Sequence, residues 1–361
     1  MKILHVITSL RTGGAEKLMV DLLPRFRKLG DDVELLLFDG ERTPFYEQLE
    51  QSGVTIHKLG INRNVYNPLN IFGLFRYMRK YDIVHSHLTA PQLFAAIGSL
   101  FCSTILCTTE HATSNRRRTF KLYSYIDKWM YSRYKKIICI SDGTENSLCS
   151  YVRGRIPTST CVIYNGVDIV KYVDALPIKE NSLLDLTKHY FIIMMVAGFR
   201  PAKDQDTLIR ALTHLPYNFH AFFVGDGIRK SECEKLADSL KVRERCHFLG
   251  VRGDVPSLMK IANVVVISSH WEGFGLAAVE GMASGRPVIA SDLDGLREVV
   301  QGAGVMFEPR DALQLAHEIE RLSNDENYYH MIKEKCIKRA MMYDISKMVE
   351  GYQKVYQEII S

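Results

Sequence analysis

Residues 270–280, HWEGFGLAAVE, decide how this sequence is interpreted. The apolar run at 263–267 predicts a buried strand before them, and a helix is predicted to continue to about Ala283. The glycines between these elements allow a turn in which backbone amides and a helix N-terminus approach an anion. Glu272 and Glu280 bracket this turn. Because unpaired charge is costly in an apolar setting, the two acids indicate ligand binding rather than packing.

Outward from this stretch, short β-branched runs alternate with helix-length amphipathic segments along the whole chain. The apolar runs are continuous, as expected for parallel strands that are covered on both faces. This alternation predicts an α/β fold with doubly wound parallel sheets. The strands are predicted at 2–8, 33–38, 54–58, 83–87, 104–109, 136–140 and 160–164, and then at 190–197, 219–225, 246–249, 263–267 and 287–290.

Two domains are expected for 361 residues, and a polar stretch at 165–188 separates the two βα series. We therefore predict an N-terminal domain at 1–168 and a C-terminal domain at 169–344. The final segment, 345–361, is predicted to be a helix, and its periodicity does not assign it to either domain.

The cysteines and the uncharged segments predict a protein of a reducing compartment that does not span a membrane. The eight cysteines form no C-x-x-C pair, and several lie within apolar runs. Arg11 and Gly13 interrupt the apolar N-terminus, which is therefore predicted to be a strand rather than a signal peptide. The uncharged segment 88–109 is predicted to contain a helix at about 91–101 and a strand at 104–109.

Positive charge is concentrated in the first half, between Arg116 and Arg155. Aromatic residues interleave with it, which is typical of an amphipathic surface that contacts an anionic membrane. A solvated helical face beside a core stripe explains the same pattern. No recognition motif for nucleic acid accompanies the charge. The basic residues are Arg116, Arg117, Arg118, Lys121, Lys128, Arg133, Lys135 and Lys136.

Three further loops follow predicted strands, where open α/β sheets bind ligands. Gly13 and Gly14 begin the first helix and could offer amides to a phosphate, although the G-x-G-x-x-G spacing of NAD-binding proteins is absent. His111 could donate to a phosphate or hydroxyl oxygen. Arg200 and Lys203 suit the two charges of a diphosphate.

His85 and His87 share one face of a predicted strand, as two ligands of a metal would. No Cys, Asp or Glu at ligand spacing accompanies them, so the sequence predicts no metal site.

In the paired glutamates and the other motifs described above, the chain resembles the retaining glycosyltransferases of family four, which share the GT-B fold. The resemblance implies two Rossmann-like domains facing a cleft, the first on the acceptor side and the second holding a nucleotide-sugar donor, with helix 345–361 crossing back to the first. It covers nearly the whole chain, at Gly13-Gly14-Ala15-Glu16, 82–87, 109–111, 162–168, the Lys203 loop, 224–227, 248–250, the paired glutamates and 285–290.

The resemblance also implies a role for each site residue. Glu272 would bind hydroxyls of the transferred sugar and Glu280 the ribose, a span that eight helical residues would cover with a rise of about 12 Å. Lys203 and Arg200 would neutralise the diphosphate. The family's usual arginine, five residues before the lysine, is Gly198 here, so Arg200 would replace it. His111 would approach the donor from the first domain, and the catalytic set would be Glu272, Lys203, Arg200 and His111. The remaining donor contacts would come from Gly13, Gly14, Gly198, Leu249, Val251 and the amides of Gly273, Phe274, Gly275 and Leu276.

By resemblance, the donor would be UDP- or GDP-linked, and the acceptor a saccharide or lipid-linked oligosaccharide of surface polysaccharide synthesis. Transfer would proceed with retention, by attack from the face that the diphosphate leaves, without an essential metal or cofactor. The protein would be cytoplasmic, with peripheral contact at the inner face of the cell membrane. A nucleotide-sugar epimerase or hydrolase on the same fold and a non-catalytic donor-binding subunit remain as alternatives.

Overall fold

The protein is described from a computed structural model, which covers residues 1–60, 64–113, 121–152, 159–178 and 190–361. The chain divides into two compact units. Unit 1 comprises Met1–Gly166 together with Ile345–Ser361, and unit 2 comprises Val167–Asp344. The observed division lies two residues before the predicted boundary at 168.

Unit 1 contains a seven-stranded sheet in which every pairing is parallel. The strand order is β3-β2-β1-β4-β5-β6-β7, so the order reverses between β1 and β4. The strands are β1 (Lys2–Ile7), β2 (Asp32–Leu37), β3 (Thr55–Lys58), β4 (Ile83–His87), β5 (Ile105–Glu110), β6 (Lys136–Cys139) and β7 (Ser159–Val162).

The helices of unit 1 begin where the sequence supplies caps or glycine. Thr43 and Ser141 accept hydrogen bonds from the first turns of α2 and α6, and Gly13 precedes α1. Pro24 lies inside α1. The helices are α1 (Gly14–Lys28), α2 (Pro44–Gln51), α3 (Leu69–Met78), α4 (Thr89–Gly98), α5 (Lys121–Ser132) and α6 (Asp142–Tyr151).

Unit 2 contains a six-stranded parallel sheet of order β10-β9-β8-β11-β12-β13. Its order reverses between β8 and β11. The strands are β8 (Phe191–Val196), β9 (Phe219–Val224), β10 (Cys246–Gly250), β11 (Val264–Ile267), β12 (Val288–Ser291) and β13 (Val305–Phe307). The helices are α7 (Ile169–Val173), α8 (Gln205–Ala211), α9 (Lys230–Ser239), α10 (Val255–Met259), α11 (Leu276–Ala283), α12 (Asp294–Val300), α13 (Ala312–Asn324) and α14 (Glu326–Ala340).

The final helix, α15 (Ile345–Ile360), belongs to the core of unit 1. Its stripe of Met348, Tyr352, Val355 and Ile359 is buried against α1 and the sheet. At the start of α15, a Cβ on Gly166 would lie 2.5 Å from the Cα of Ile345, so only glycine permits this close approach of two backbones.

The α/β fold class predicted for the chain is confirmed, since each of the twelve predicted strands is present to within two residues at either end. The three-residue strand β13 was missed because VMF is too short to give a periodic signal. The segment 88–109 contains helix α4 and strand β5, as predicted. Among the described residues, no helix combines the length and apolar character that crossing a bilayer requires.

Candidate functional site

The strand order of unit 2 reverses between β8 and β11, and this switch point brings two of the predicted loops together. Strands β8 and β11 are neighbours, and both run parallel, so the loops at their carboxyl ends lie at one edge of the sheet. The loop after β8 contains Arg200 and Lys203, and the loop after β11 contains Glu272. His270 N donates to Ala202 O over 2.8 Å, which joins the two loops directly.

Lys203 and Glu272 form an ion pair in this place. Lys203 Nζ donates to Glu272 Oε2, and Ser269 Oγ donates to the same oxygen over 3.4 Å. The side chain of Lys203 is 28% exposed and that of Glu272 is 16% exposed, so both charges are partly removed from water. Each charge therefore compensates the other at a position that a ligand can still reach.

The glycine turn after Glu272 has the backbone that the sequence predicted. Gly275 has a φ of +88° and directly precedes α11, whose first amides carry the positive end of the helix dipole. A Cβ on Gly275 would lie 2.5 Å from Leu296 Cδ2. Phe274 is buried and packs edge-on against Tyr343, with ring centroids 5.2 Å apart.

Glu280 lies on α11 and is buried. The separation of about 12 Å assumed an unbroken helix from Glu272 to Glu280, but α11 begins only at Leu276. Helical rise therefore does not give the separation of the two carboxylates, because the glycine turn sets the position of Glu272.

The other predicted residues of unit 2 lie at the same edge of the sheet. Gly198 follows β8, and its carbonyl accepts from Gln205 Nε2 over 3.2 Å, while Arg200 is exposed. Leu249 and Val251 lie at the end of β10, where Gly225 N donates to Gly250 O over 2.8 Å. The edge is formed by the ends of β8, β9, β10 and β11.

Asp204 and His270 are part of this site and were missed in the sequence. Asp204 is buried, which raises the pKa of its carboxyl, and its backbone has a φ of +43°. Its Oδ2 accepts from Thr207 Oγ1 over 2.6 Å and lies 3.5 Å from His270 Nδ1. Ser268 Oγ donates to Asp204 O over 2.8 Å. These contacts hold the Lys203 loop in place. The local sequence pattern does not predict them.

In unit 1 the predicted residues follow two different strands. Gly13 and Gly14 begin α1 after β1, and His111 follows β5 and is half-buried. His111 Nε2 lies 3.1 Å from His87 Nδ1. Burial lowers the pKa of His111 to about 4, so its imidazole is neutral at physiological pH.

Three further imidazoles cluster in the interior of unit 1. His5, His85 and His87 are fully buried, and a ligand atom from each lies within 4.8 Å of the others. The sequence pattern pairs only His85 with His87, because these two lie on one strand and no Cys, Asp or Glu at ligand spacing accompanies them. The pairing of β1 with β4 sets His5 opposite His85 and supplies the third imidazole. Three histidines could hold a transition metal, but each ring nitrogen is already in a hydrogen bond.

The basic residues divide between the surface and the core. Arg133 and Lys135 are exposed, whereas Lys136 is buried and paired with Glu358 over 2.9 Å. On α5, Tyr125 and Trp129 are exposed. Arg116, Arg117, Arg118 and Arg155 lie outside the described residues, as does the side chain of Lys121.

Two family models match the chain. Residues 180–339 match the model described as glycosyl transferases group 1, and residues 12–171 match the model described as glycosyltransferase family 4. Together they account for most of both units, and the chain belongs to this family of glycosyltransferases, which confirms the resemblance.

Similar proteins cover nearly the whole chain. An uncharacterized glycosyltransferase of Methanocaldococcus jannaschii is 26% identical over 96% of this chain and 95% of its own length. An Escherichia coli UDP-Gal:alpha-D-GlcNAc-diphosphoundecaprenol alpha-1,3-galactosyltransferase is 24% identical over 100% and 97%. Among solved structures, Anabaena Alr3699/HepE in complex with UDP-glucose superposes with a TM-score of 0.87 at 23% identity, covering 99% of this chain and 100% of that one. The GT-B fold is thereby confirmed, and the chain is a glycosyltransferase.

Proposed function

We propose that the protein transfers a sugar from a UDP- or GDP-linked donor to a saccharide or lipid-linked acceptor, with retention at the anomeric carbon. The observation that carries this proposal is the ion pair of Lys203 and Glu272 at the switch point, beside the glycine turn that opens α11. A cation, a carboxylate and the N-terminus of a helix suit the diphosphate, the hydroxyls and the phosphate oxygens of one sugar nucleotide.

Donor binding exchanges one set of partners for another. In the structure, Lys203 and Glu272 compensate each other. A bound donor offers Lys203 a doubly charged diphosphate and offers Glu272 the hydroxyls of the sugar as hydrogen-bond donors. Both groups thus remain satisfied when the pair separates, so binding leaves no buried charge without a partner. Glu280 is proposed to accept from the ribose, and Arg200 to add to the charge at the diphosphate.

The reaction is proposed to occur on one face of the sugar. The bond from the anomeric carbon to the diphosphate breaks, and its electron pair leaves with the diphosphate. The acceptor oxygen forms its bond on the same face, and its proton passes to the departing phosphate oxygen. Lys203 stabilises the charge that develops there, a task for which a preorganised cation is worth about 100- to 1,000-fold in rate.

The nature of the relatives supports this donor class and this acceptor class. Anabaena HepE was solved with UDP and UDP-glucose, and the Escherichia coli relative is named for a UDP-galactose donor and a diphosphoundecaprenol acceptor. Another relative is named for O-antigen biosynthesis in Escherichia coli. A role in surface polysaccharide synthesis in the cytoplasm follows for this chain as a proposal.

A donor screen tests the proposed function. The melting temperature of the protein is measured with UDP-glucose, UDP-galactose, UDP-N-acetylglucosamine and GDP-mannose, since a ligand of the native state raises it. One donor is expected to raise the temperature by several degrees and to be consumed only with an acceptor present. Release of UDP without an acceptor would indicate an epimerase or hydrolase, and binding without any turnover would indicate a non-catalytic subunit.

We further propose that unit 1 contacts an anionic membrane through the exposed side of α5. Tyr125, Ile126 and Trp129 expose 72%, 42% and 39% of their surface there, and the exposed Arg133 follows the helix. Aromatic rings beside basic groups suit the interface of such a bilayer. Sedimentation with phosphatidylglycerol vesicles is expected for the wild type and lost in the Trp129→Ser, Arg133→Glu variant. Equal sedimentation with neutral phosphatidylcholine vesicles would contradict the charge argument.

A further inference from the structure

A continuous chain of hydrogen bonds crosses the interior of unit 1 and ends at His111. It begins on α15, passes through β5, β4 and β1, and contains four imidazoles and three hydroxyl groups. The contacts are Tyr352 Oη to Thr109 Oγ1 at 3.0 Å, Thr109 Oγ1 to His85 Nε2 at 2.8 Å, His85 Nδ1 to Tyr356 Oη at 2.6 Å, Tyr356 Oη to His5 Nε2 at 3.3 Å, His5 Nδ1 to His87 Nε2 at 3.1 Å, and His87 Nδ1 to His111 Nε2 at 3.1 Å.

Every imidazole of this chain is neutral at physiological pH. His5, His85 and His87 are fully buried, and this burial lowers the pKa of each, for His5 to about 3. A neutral imidazole has one N–H donor and one acceptor nitrogen, and a hydroxyl has one proton. A hydroxyl that accepted from both neighbours would leave its own proton without an acceptor in the chain, so each member is fully satisfied only when it donates to one neighbour and accepts from the other. The chain has only two self-consistent polarities.

The end of the chain at Tyr352 distinguishes the two polarities. Within the described part of the protein, Thr109 Oγ1 is the one hydrogen-bond partner of Tyr352 Oη, and Tyr352 is fully buried. If Tyr352 donates, its proton is satisfied. If Tyr352 accepts, its own proton is left in the interior without an acceptor, a cost that favours the first polarity by about tenfold or more.

The favoured polarity gives the same tautomer to all four histidines. Thr109 donates to His85 Nε2, and His85 donates from Nδ1 to Tyr356. Tyr356 donates to His5 Nε2, and the sequence of Nδ1–H to Nε2 bonds then continues through His87 to His111. His111 accepts at Nε2 and carries its proton on Nδ1.

We propose that this chain fixes His111 as the Nδ1–H tautomer, so that His111 offers a neutral N–H donor to an oxygen of its ligand. Tyr352, Thr109 and Tyr356 act as positioning residues, together with the three buried imidazoles. The identity of the ligand rests on the proposed function, as an oxygen of the sugar nucleotide or of the acceptor. The tautomer itself does not depend on it.

The tautomer is measured by NMR on protein labelled with ¹³C and ¹⁵N in its twelve histidines. The Cδ2 and ring nitrogen shifts differ between the two tautomers, and single His→Gln variants assign the signals. His5, His85, His87 and His111 are expected to show the Nδ1–H pattern at pH 7. An Nε2–H pattern for His111 would overturn the proposal. Displacement of the His5, His85 and His87 signals by stoichiometric Zn²⁺ would also overturn it, in favour of a metal site.

Two tyrosine variants separate the chain from general packing. In Tyr356→Phe the ring remains, but His85 and His5 lose their shared partner, and either polarity then leaves one His5 nitrogen unsatisfied. His111 is expected to change from one tautomer to a mixture of both. Tyr134→Phe is the matched control, because Tyr134 is fully buried in the same unit and bonds to Ser86 and Gln92 instead. Identical His111 signals in Tyr356→Phe and the wild type would refute the proposal that the chain of hydrogen bonds fixes the tautomer of His111.

The ligand is tested on the same samples. Addition of UDP-glucose is expected to shift the His111 signals of the wild type. If His111 is the Nδ1–H tautomer but its signals respond to no sugar nucleotide, the chain of hydrogen bonds is supported. The proposal that His111 binds the ligand is then wrong. Failure of the chain and failure of the function are therefore distinguishable.

Discussion

Lys203 and Glu272 are 69 residues apart in the sequence and share one ion pair at the edge of the unit 2 sheet. Because each charge compensates the other, neither side chain leaves an uncompensated charge at the place where the proposed donor would bind. The ion pair also links the two residues that the proposed mechanism uses most.

We expect Lys203→Met and Glu272→Gln each to lower kcat by about 100- to 1,000-fold, because the proposed mechanism needs Lys203 at the departing diphosphate and the Glu272 carboxylate at the sugar hydroxyls. The measurement is the initial rate of sugar transfer with the donor found in the screen. Lys235→Met is the control, because Lys235 is exposed on α9. Normal rates in both site variants would be inconsistent with the proposed site.

At the scale of single elements, the start of α11 depends on one glycine. Gly275 has a φ of +88°, and a Cβ there would meet Leu296, so any other residue strains the turn that places Glu272. The position of the carboxylate is thus set by backbone conformation rather than by helical rise.

We predict that Gly275→Ala destabilises unit 2 by about 1–3 kcal/mol, through the left-handed backbone and the contact with Leu296. Gly253→Ala is the matched control, since a Cβ at Gly253 meets nothing within 4 Å. Urea unfolding of the two variants makes the comparison. An equal loss in both would show that the positive φ is not the cause.

Helix α15 contributes its buried stripe to the core of unit 1. We predict that Met348→Ala, which leaves a cavity at a residue with 2% exposure, destabilises unit 1 by about 2–5 kcal/mol. Lys354→Ala on the exposed side of the same helix is expected to change stability by less than about 0.5 kcal/mol. Urea unfolding followed by the fluorescence of Trp129, in unit 1, distinguishes them once Trp271 in unit 2 is replaced by Phe.

For the molecule as a whole, the buried imidazoles make stability depend on pH. His5 has a pKa of about 3 in the folded protein against an ordinary value of 6.5. Below pH 6.5 the unfolded chain therefore binds protons that the folded chain does not, and stability falls as the pH falls toward 3. His85 and His87 are lowered in the same direction and add to this loss.

We expect His5 alone to account for a loss of about 2 kcal/mol in the unfolding free energy between pH 7 and pH 5. Unfolding in urea at the two pH values measures it. His5→Gln is expected to show a smaller difference between the two pH values, whatever its absolute stability. His214→Gln, at an exposed position, should retain the full difference. A His5→Gln protein with unchanged pH dependence would contradict the assignment.

The amino-acid sequence by itself determined the local elements and the nature of the site. Twelve strands, the glycine turn and the helix after it could be predicted because apolar periodicity and turn residues act between near neighbours in the chain. The motifs that carry the family resemblance are likewise short and local. They sufficed to name Lys203, Glu272 and His111 as site residues, which remain predictions of function.

Only the tertiary structure decided which distant residues meet. The contact of Lys203 with Glu272, the buried Asp204 beside His270, the third imidazole at His5 and the packing of α15 on unit 1 all depend on strand order and register. Such pairings join positions that are tens to hundreds of residues apart, and no periodicity extends over that distance. Their geometry is set by which strands lie side by side, which only the folded sheet determines.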